Sequence, residues 1–163
     1  MAKQEKFEKT NAVRLLTQAG IPFEIITYEV DEEDLSGVHV AESLGQPPEQ
    51  VFKTLVVRGE KTGLAVFCIP VAEELDLKKC AIIRKDKKME MIAVKELLGL
   101  TGYIRGGCSP VGMKKKYPTY IDKAATLFDT IFVSAGARGM QFKLNPEQLA
   151  AYVQAFFCDL TVS

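Results

Sequence analysis

Two β-branched and apolar segments, residues 51–57 and residues 64–69, lie near the middle of the chain. A polar connection separates them, and it contains the glycines Gly59 and Gly63. This arrangement is typical of a β-hairpin with a slightly long loop. We therefore expect the two segments to form central strands of a sheet, with the rest of the chain built around them.

Short helical patterns occur on both sides of this hairpin. Thr10 can cap a first helix that ends at Gly20, because apolar residues recur at helical spacing between them. Residues 38–44 indicate a second helix, and residues 75–98 indicate two more with a break near residues 85–88. Several short helices are therefore expected to cover the sheet.

A closing helix has a clear start signal. Asn145 can act as its cap, Pro146 occupies the first helical position, and Gln148 completes a capping-box pattern. The apolar stripe expected to face the core consists of Leu149, Tyr152, Val153 and Phe156.

The remaining strands and the fold class follow from the same patterns. Further short strands are expected at residues 23–28, 103–104, 119–121, 130–133 and 140–144. No linker, repeat or low-complexity tract divides residues 1–163, so we expect one domain. The predicted fold is α+β, with a mixed sheet curled into a partial barrel and surrounded by short helices.

The charges of the chain balance, with 21 Lys and Arg residues against 21 Asp and Glu residues. A neutral molecule lacks the positive field that attracts proteins to long nucleic acids, so DNA is not an expected partner. A polyanionic partner would have to be bound by a local patch.

Cysteine, histidine and apolar patterns restrict the compartment and the cofactors. Four scattered cysteines and one histidine show no metal-binding or disulfide spacing, so neither a metal nor another cofactor is expected. Residues 1–14 lack the apolar core of a signal peptide, and no apolar run approaches the roughly 20 residues of a membrane helix. These features predict a cytoplasmic protein with free thiols and no membrane association.

Lys53 is the most informative residue of the first central strand. Strand alternation places it on the same face as Val51, Leu55 and Val57, so an ammonium group lies within an apolar row. One interpretation is that its head group reaches water at the strand end. The other is a fixed cation in a cleft wall, where it binds phosphate or stabilises negative charge on an ester carbonyl.

Two glycine-rich turns follow later strands. Residues 106–112 (GGCSPVG) and residues 134–139 (SAGARG) would each be an ordinary turn if taken alone, and the first lacks P-loop spacing. Both can also let a ligand approach the backbone closely, and the second adds a hydroxyl and an arginine suited to a nucleotide. The basic run at residues 114–116 is either a solvated surface or a contact for RNA.

Three of these segments together resemble one family. Residues 51–56 (VFKTLV), residues 106–112 and residues 134–139 are similar to motifs of the YbaK/EbsC family. That family includes free-standing prolyl-tRNA editing proteins and the editing insertion of bacterial prolyl-tRNA synthetases. Supporting similarity, which extends the resemblance over nearly the whole chain, occurs at residues 10–16, 20–23, 41–45 and 119–122.

The resemblance implies the aminoacyl-tRNA editing domain fold and an enzyme that deacylates mischarged tRNA. It gives Lys53 the catalytic role, with Gly106 and Gly107 against the aminoacyl ester. The substrate-binding residues that it implies are Tyr28, Thr54, Ser109, Ser134, Gly136 and Arg138.

The resemblance also implies Cys-tRNA(Pro) as the substrate, with the cysteine thiol attacking its own ester carbonyl. In that case the protein only orients the thiol and stabilises the oxyanion. The expected partner is the 3′ end of aminoacyl-tRNA, and prolyl-tRNA synthetase is a candidate second partner. Cys108 and Gln141 depart from the residue types common at these positions in relatives, so alanine and serine stay open as alternative amino acids.

Two other functions fit parts of the pattern. A thiol hydrolase could use Cys108 as nucleophile and His39 as base, since backbone N–H groups can lower a thiol pKa. Alternatively, a non-catalytic tRNA- or nucleotide-binding module could use Lys53 and residues 114–116 to hold phosphates.

Overall fold

A computed structural model describes residues 9–163 of the chain. Residues 1–8, which belong to the N-terminal stretch without a signal-peptide core, lie outside the described residues. The elements follow in the order α1 Asn11–Ala19, β1 Glu24–Thr27, α2 Gly37–Leu44, β2 Phe52–Gly59, β3 Gly63–Pro70, α3 Leu77–Arg84, β4 Met89–Met91, α4 Val94–Thr101, β5 Thr119–Asp122, the 3₁₀ helix Lys123–Leu127, β6 Ile131–Ser134, β7 Met140–Leu144, α5 Pro146–Val153 and β8 Phe156–Cys158.

The predicted hairpin is the centre of the larger sheet. β2 and β3 pair antiparallel along their whole length, from Phe52 opposite Pro70 to Gly59 opposite Gly63. The sheet has the order β4-β2-β3-β5-β8, in which β5 runs parallel to both β3 and β8. The prediction of a mixed sheet is confirmed.

A second, antiparallel sheet has the order β1-β7-β6. A parallel bridge between Val51 and Phe132 joins this sheet to the edge of β2. The chain therefore folds into two sheets that meet at one side of β2, and strand pairing does not close them into a barrel within residues 9–163. The α+β fold class predicted from the sequence is confirmed.

Burial on both faces explains why the hairpin segments are so apolar. Phe52 belongs to the core formed with α1 and α5, where Leu16 and Leu149 are fully buried. Val57 belongs to a separate core with α3. Val51 packs with α2 in a third cluster. Because helices pack on both faces of β2, apolar residues occur on both of its faces, although Lys53, Thr54 and Arg58 interrupt them.

Side-chain caps set several helix boundaries where the sequence predicted them. The Thr10 hydroxyl accepts a hydrogen bond from Val13 N, and Gly20 ends α1 in the left-handed conformation. The Asn145 side chain caps α5 in the same way through Gln148 N. Thr10 has a second role, because its hydroxyl donates a 2.6 Å bond to the carbonyl of Ala135. The cap of α1 therefore also fixes the turn that follows β6.

Two sequence-based expectations about secondary structure are wrong, and two short strands were not expected. Residues 103–104 do not form a strand, because the Tyr103 N–H bonds to the Thr101 hydroxyl and its phenol donates to Val111 O. The strands β4 and β8 were not predicted, since each has only three residues. Phe156 is not part of a buried stripe on α5 but lies in β8 and is 67% exposed.

The described helices include none that is long and apolar enough to cross a membrane.

Thr10→Ala is expected to lower the free energy of unfolding by about 2–3 kcal/mol, because it removes a helix cap and also the partner of a buried carbonyl. Ser36 is an exposed cap of α2 whose hydroxyl accepts from His39 N and satisfies no buried carbonyl, so Ser36→Ala is expected to cost about 1 kcal/mol. Urea denaturation measures both values. Equal losses in the two variants would contradict the second role of Thr10.

Candidate functional site

A cleft of about 400 Å³ opens beside β2, between the start of α2 and the β4–α4 segment. This volume falls within the range of pockets for small molecules. Apolar residues form most of the wall, and they are Leu35, Val38, Val40, Val51, Phe52, Leu55, Val56, Val71, Met91, Ile92, Val94 and Leu97. The polar and small lining residues are Ser36, Gly37, Lys53, Thr54, Arg105, Gly106, Cys108, Ser134 and Gln141.

The cleft lies where one edge of β2 is left without a partner strand. On this edge the Gln50 carbonyl accepts from Phe132 N at 3.0 Å, and the Val56 carbonyl accepts from Ile92 N at 3.4 Å. Backbone groups alternate between the two edges of a strand, so Thr54 turns its N–H and C=O to the same edge. In the described part of the chain, no strand pairs with β2 there. The backbone of Thr54 can therefore bond to a ligand.

Lys53 is half-buried in the wall of this cleft. Burial lowers its pKa, and the carboxylates of Glu74 and Glu73 oppose that shift. The side chain therefore does not extend fully into water, as it would if it only reached solvent from a strand end. An ammonium held in this position can stabilise a negative charge on a ligand more strongly than an exposed lysine can.

Arg105 is a second cation on the cleft that the sequence analysis did not select. It directly precedes Gly106, and that position beside the glycine motif was the only available signal. No carboxylate lines the cleft among residues 9–163. The cleft therefore combines two cations with an apolar wall, which suits an anionic ligand that has an apolar part.

The two glycine-rich turns pack directly against each other. Gly106 has φ +87°, and a Cβ there would approach Arg138 Nε to 3.3 Å. A Cβ at Gly107 would lie 3.0 Å from Arg138 N. The Arg138 side chain in turn donates from Nε to the Arg105 carbonyl at 2.8 Å and forms an ion pair with Glu32 at 3.1 Å. Arg138 therefore holds the first turn in place.

Four of the residues predicted from the sequence meet in the cleft, and they are Lys53, Thr54, Gly106 and Ser134. Ser134 is almost fully buried, and its hydroxyl accepts from Gly136 N at 3.1 Å. Tyr28 lines a smaller adjoining depression that shares Gly106 with the cleft. The structure therefore brings four of the predicted residues together in one cleft, on β2, at the end of β6 and in the first glycine-rich turn.

The other predicted residues lie outside the cleft wall in the described part of the chain, and they are Gly107, Ser109, Gly136 and Arg138. Ser109 is fully buried, and its hydroxyl accepts from Val111 N at 3.2 Å. A Cβ at Gly136 would meet Tyr103 and Thr10, not the cleft. The contacts of these residues hold the two turns in shape.

The proposed pair of Cys108 and His39 is not assembled. Cys108 lines the cleft, but burial raises the pKa of its thiol to about 12. His39 instead lies against acidic side chains, with Nε2 3.3 Å from Asp31 and Nδ1 3.3 Å from Glu42. A protonated thiol without an adjacent base is a poor nucleophile.

Comparison with known proteins assigns the chain to a family. The sequence model of the aminoacyl-tRNA editing domain matches residues 35–152, well over half of the chain. The chain belongs to this editing-domain family. The match contains every residue of the cleft. The chain is also 47% identical over 161 residues to an Enterococcus faecalis protein named "Putative Cys-tRNA(Pro)/Cys-tRNA(Cys) deacylase EbsC", covering 99% of this chain and 98% of that one.

Solved structures with the same fold support this membership. One is described as "a putative trans-editing enzyme for prolyl tRNA synthetase", and it matches with a TM-score of 0.80 at 25% identity over 93% of this chain and 97% of that one. Another, a hypothetical protein, has a TM-score of 0.83 at 18% identity over 91% of this chain and 97% of that one. The second shows the fold alone.

Gly106→Ala is expected to destabilise the protein by roughly 1–3 kcal/mol, because the left-handed backbone and the contact with Arg138 both disfavour a Cβ. Gly99→Ala is the matched control, since Gly99 lies inside α4 and a Cβ added there would meet no atom within 4 Å. That change is expected to be neutral or to stabilise by up to about 1 kcal/mol. Thermal unfolding compares the two variants, and a Gly106→Ala protein as stable as the wild type would show that the turn is unstrained.

Proposed function

We propose that this protein is a deacylase that hydrolyses mischarged tRNA in trans, with Cys-tRNA(Pro) as its main substrate. The observation that carries the proposal is the cleft itself, in which Lys53 and an unpaired stretch of β2 backbone face an apolar wall. Family membership and the name of the Enterococcus faecalis relative support the same reaction. The name of that relative, a deacylase, favours catalysis over a non-catalytic binding module.

The aminoacyl ester of the tRNA 3′ end fits this arrangement. Its amino acid is small and partly apolar, and the neighbouring nucleotides carry phosphates that Arg105 can bind at the rim. The ester carbonyl would lie beside Lys53 and Thr54, where the ammonium and the backbone N–H of Thr54 stabilise the oxyanion of the tetrahedral intermediate. Gly106 also lines this cleft, so its backbone can contact the ester.

The substrate supplies the nucleophile in this mechanism. The cysteine thiol loses its proton and attacks its own ester carbonyl, and the bond from that carbon to the ribose oxygen then breaks. The ribose oxygen takes up a proton, which leaves tRNA with a free hydroxyl and a cyclic thioester of cysteine. Water opens this thioester to free cysteine. The thiol is already tethered close to the carbonyl, so positioning it supplies much of the acceleration.

The state of the cleft cysteine favours this mechanism over an enzyme nucleophile. Cys108 is the cysteine that lines the cleft in residues 9–163, and its pKa of about 12 keeps it protonated at neutral pH. A substrate thiol with an unperturbed pKa near about 8.5 ionises far more readily. Alanyl- and seryl-tRNA lack a thiol, so they cannot react by this mechanism.

The partner and the compartment follow from the proposed substrate. The protein would meet the 3′ end of aminoacyl-tRNA in the cytoplasm, where charged tRNA is used. An association with prolyl-tRNA synthetase is supported by the description of one structural neighbour. Such an association would deliver mischarged tRNA(Pro) to the deacylase directly after the synthetase has charged it.

Lys53→Ala is expected to lower kcat/KM for Cys-tRNA(Pro) by roughly 100-fold or more, by analogy with removal of one oxyanion-stabilising donor. Hydrolysis of labelled aminoacyl-tRNA measures the effect, and Lys123→Ala, which changes an exposed lysine away from the cleft, is the control.

The wild-type rate should rise with pH as the substrate thiol ionises and fall as Lys53 loses its proton. This descending limb lies below the usual pKa of lysine, and Lys53→Arg should move it to higher pH. Unchanged turnover in a folded Lys53→Ala protein would show that Lys53 has no catalytic role.

Changing the nucleophilic atom tests the thiol mechanism directly. Cys-tRNA(Pro) should be deacylated much faster than Ser-tRNA(Pro) or S-methylcysteinyl-tRNA(Pro), because a hydroxyl and a thioether cannot replace an ionisable thiol. Cys108→Ser should keep most of the activity on Cys-tRNA(Pro). Loss of activity in Cys108→Ser with the fold preserved, or equal rates on the three substrates, would favour attack by the enzyme or by water.

A further inference from the structure

Gln141 is a buried polar residue in the cleft whose hydrogen bonding is incomplete. It lies on β7, is 5% exposed, and lines the cleft beside Ser134. Its carboxamide oxygen is fully buried and has no hydrogen-bond partner among the described residues. Leaving such an acceptor unpaired is unfavourable, so a residue of this kind in a cleft is best explained by a ligand that supplies the missing donor.

Strand pairing and the lining of the cleft relate Gln141 to Lys53. An isolated parallel bridge joins Val51 to Phe132, and Lys53 and Ser134 each lie two residues further along, on the same strand faces as the bridged pair. Ser134 is directly opposite Gln141 in the antiparallel pair of β6 and β7. Lys53, Ser134 and Gln141 all line the same cleft, which opens where β2 and β6 no longer pair. A small ligand can reach from Lys53 to Gln141.

The charges in the cleft select the donor that Gln141 would bind. With two cations and no carboxylate lining the cleft among the described residues, a cationic group on the ligand has no anionic partner there. A buried carboxamide oxygen can still accept from an ammonium, and such a charge-assisted bond is stronger than one to a neutral donor. An aminoacyl ester carries one such ammonium, on its α-carbon, next to the carbonyl that reacts.

We propose that Gln141 accepts a hydrogen bond from the α-ammonium group of the aminoacyl ester, and that the cleft thereby selects substrates with a free α-amino group. This inference rests on the proposed deacylase function. Gln141 and Lys53 would hold the ester from two sides, with the ammonium at Gln141 and the carbonyl oxygen at Lys53. The bond fixes rotation about the α-carbon and so directs the side-chain thiol towards the carbonyl.

Removing the α-amino group from the substrate tests this role. We compare Cys-tRNA(Pro) with 3-mercaptopropionyl-tRNA(Pro), which has the same thiol and ester but lacks the amino group. Wild type, Gln141→Met and Gln141→Glu are assayed on both, and each rate is corrected for uncatalysed hydrolysis of the same tRNA. Gln141→Met should reduce kcat/KM for Cys-tRNA(Pro) about 10- to 100-fold more than for the des-amino substrate. Gln141→Glu retains an acceptor and should restore the preference for the amino group.

The outcomes separate this inference from the proposed function. Wild-type enzyme that hydrolyses neither substrate would contradict the deacylase function itself. Active wild type with equal losses on both substrates in Gln141→Met would retain the function but overturn the role of Gln141. Unchanged activity of Gln141→Met on Cys-tRNA(Pro) would overturn it as well.

A stability measurement and a packing control complete the test. Because Gln141→Met removes an unpartnered buried acceptor, its Tm should equal or exceed that of wild type. A marked decrease in Tm would mean that the folded protein itself uses the carboxamide, which would overturn the inference.

Phe142→Leu alters the opposite face of the same strand, in the core with α1 and α5. It should lower stability without changing the ratio of kcat/KM for the two substrates. If Gln141→Met does not fold, Gln141→Glu decides instead, because its carboxylate should raise the preference for the amino group above the wild-type value, and an unchanged preference would overturn the inference.

Discussion

Strand β2 is hydrogen-bonded along its whole length to β3, but its other edge is bonded only near the two ends. At one end the bridge to Phe132 starts the second sheet, and at the other end β4 adds a short strand. The interruption between these contacts leaves backbone groups of Thr54 unpaired in a wall that is otherwise apolar. Most of the candidate site depends on this gap, since it separates α2 from α4 and places Lys53 at the opening.

The glycine-rich turns contribute to the site mainly through their contact with each other. Gly106 and Gly107 lie against the backbone and side chain of Arg138, and Arg138 bonds back to the carbonyl of Arg105. Thr10 ties the second of these turns to α1 through the Ala135 carbonyl. A chain of short-range contacts therefore runs from the first helix to the rim of the cleft, and a ligand meets turns that are already positioned.

The sequence predicts the fold well wherever a local signal is strong. The hairpin, the caps at Thr10 and Asn145 and the boundaries of β7 follow from residue types that act within a few positions. The strands β4 and β8 have three residues each and exist because neighbouring strands offer bonding edges, which no local pattern records. Motif similarity likewise acts locally, and it selected Lys53, Thr54, Gly106 and Ser134. Arg105 and Gln141 belong to no such motif, and only the tertiary structure shows that they line the cleft. Arg138 was predicted in the pocket wall, but its guanidinium is used to join two turns.

The balance of positive and negative charge in this protein affects how fast tRNA binds and dissociates. A chain with equal numbers of acidic and basic residues exerts little long-range attraction on tRNA, so encounter complexes should be short-lived. In the proposed complex Arg105 is the cleft cation that binds phosphate, so the cleft itself releases few counterions and contributes a shallow dependence of affinity on salt. Rapid dissociation would let each enzyme molecule sample many correctly charged tRNAs without holding them back from the ribosome. Discrimination would then occur in the chemical step, after binding, where the thiol of a misattached cysteine triggers its own release.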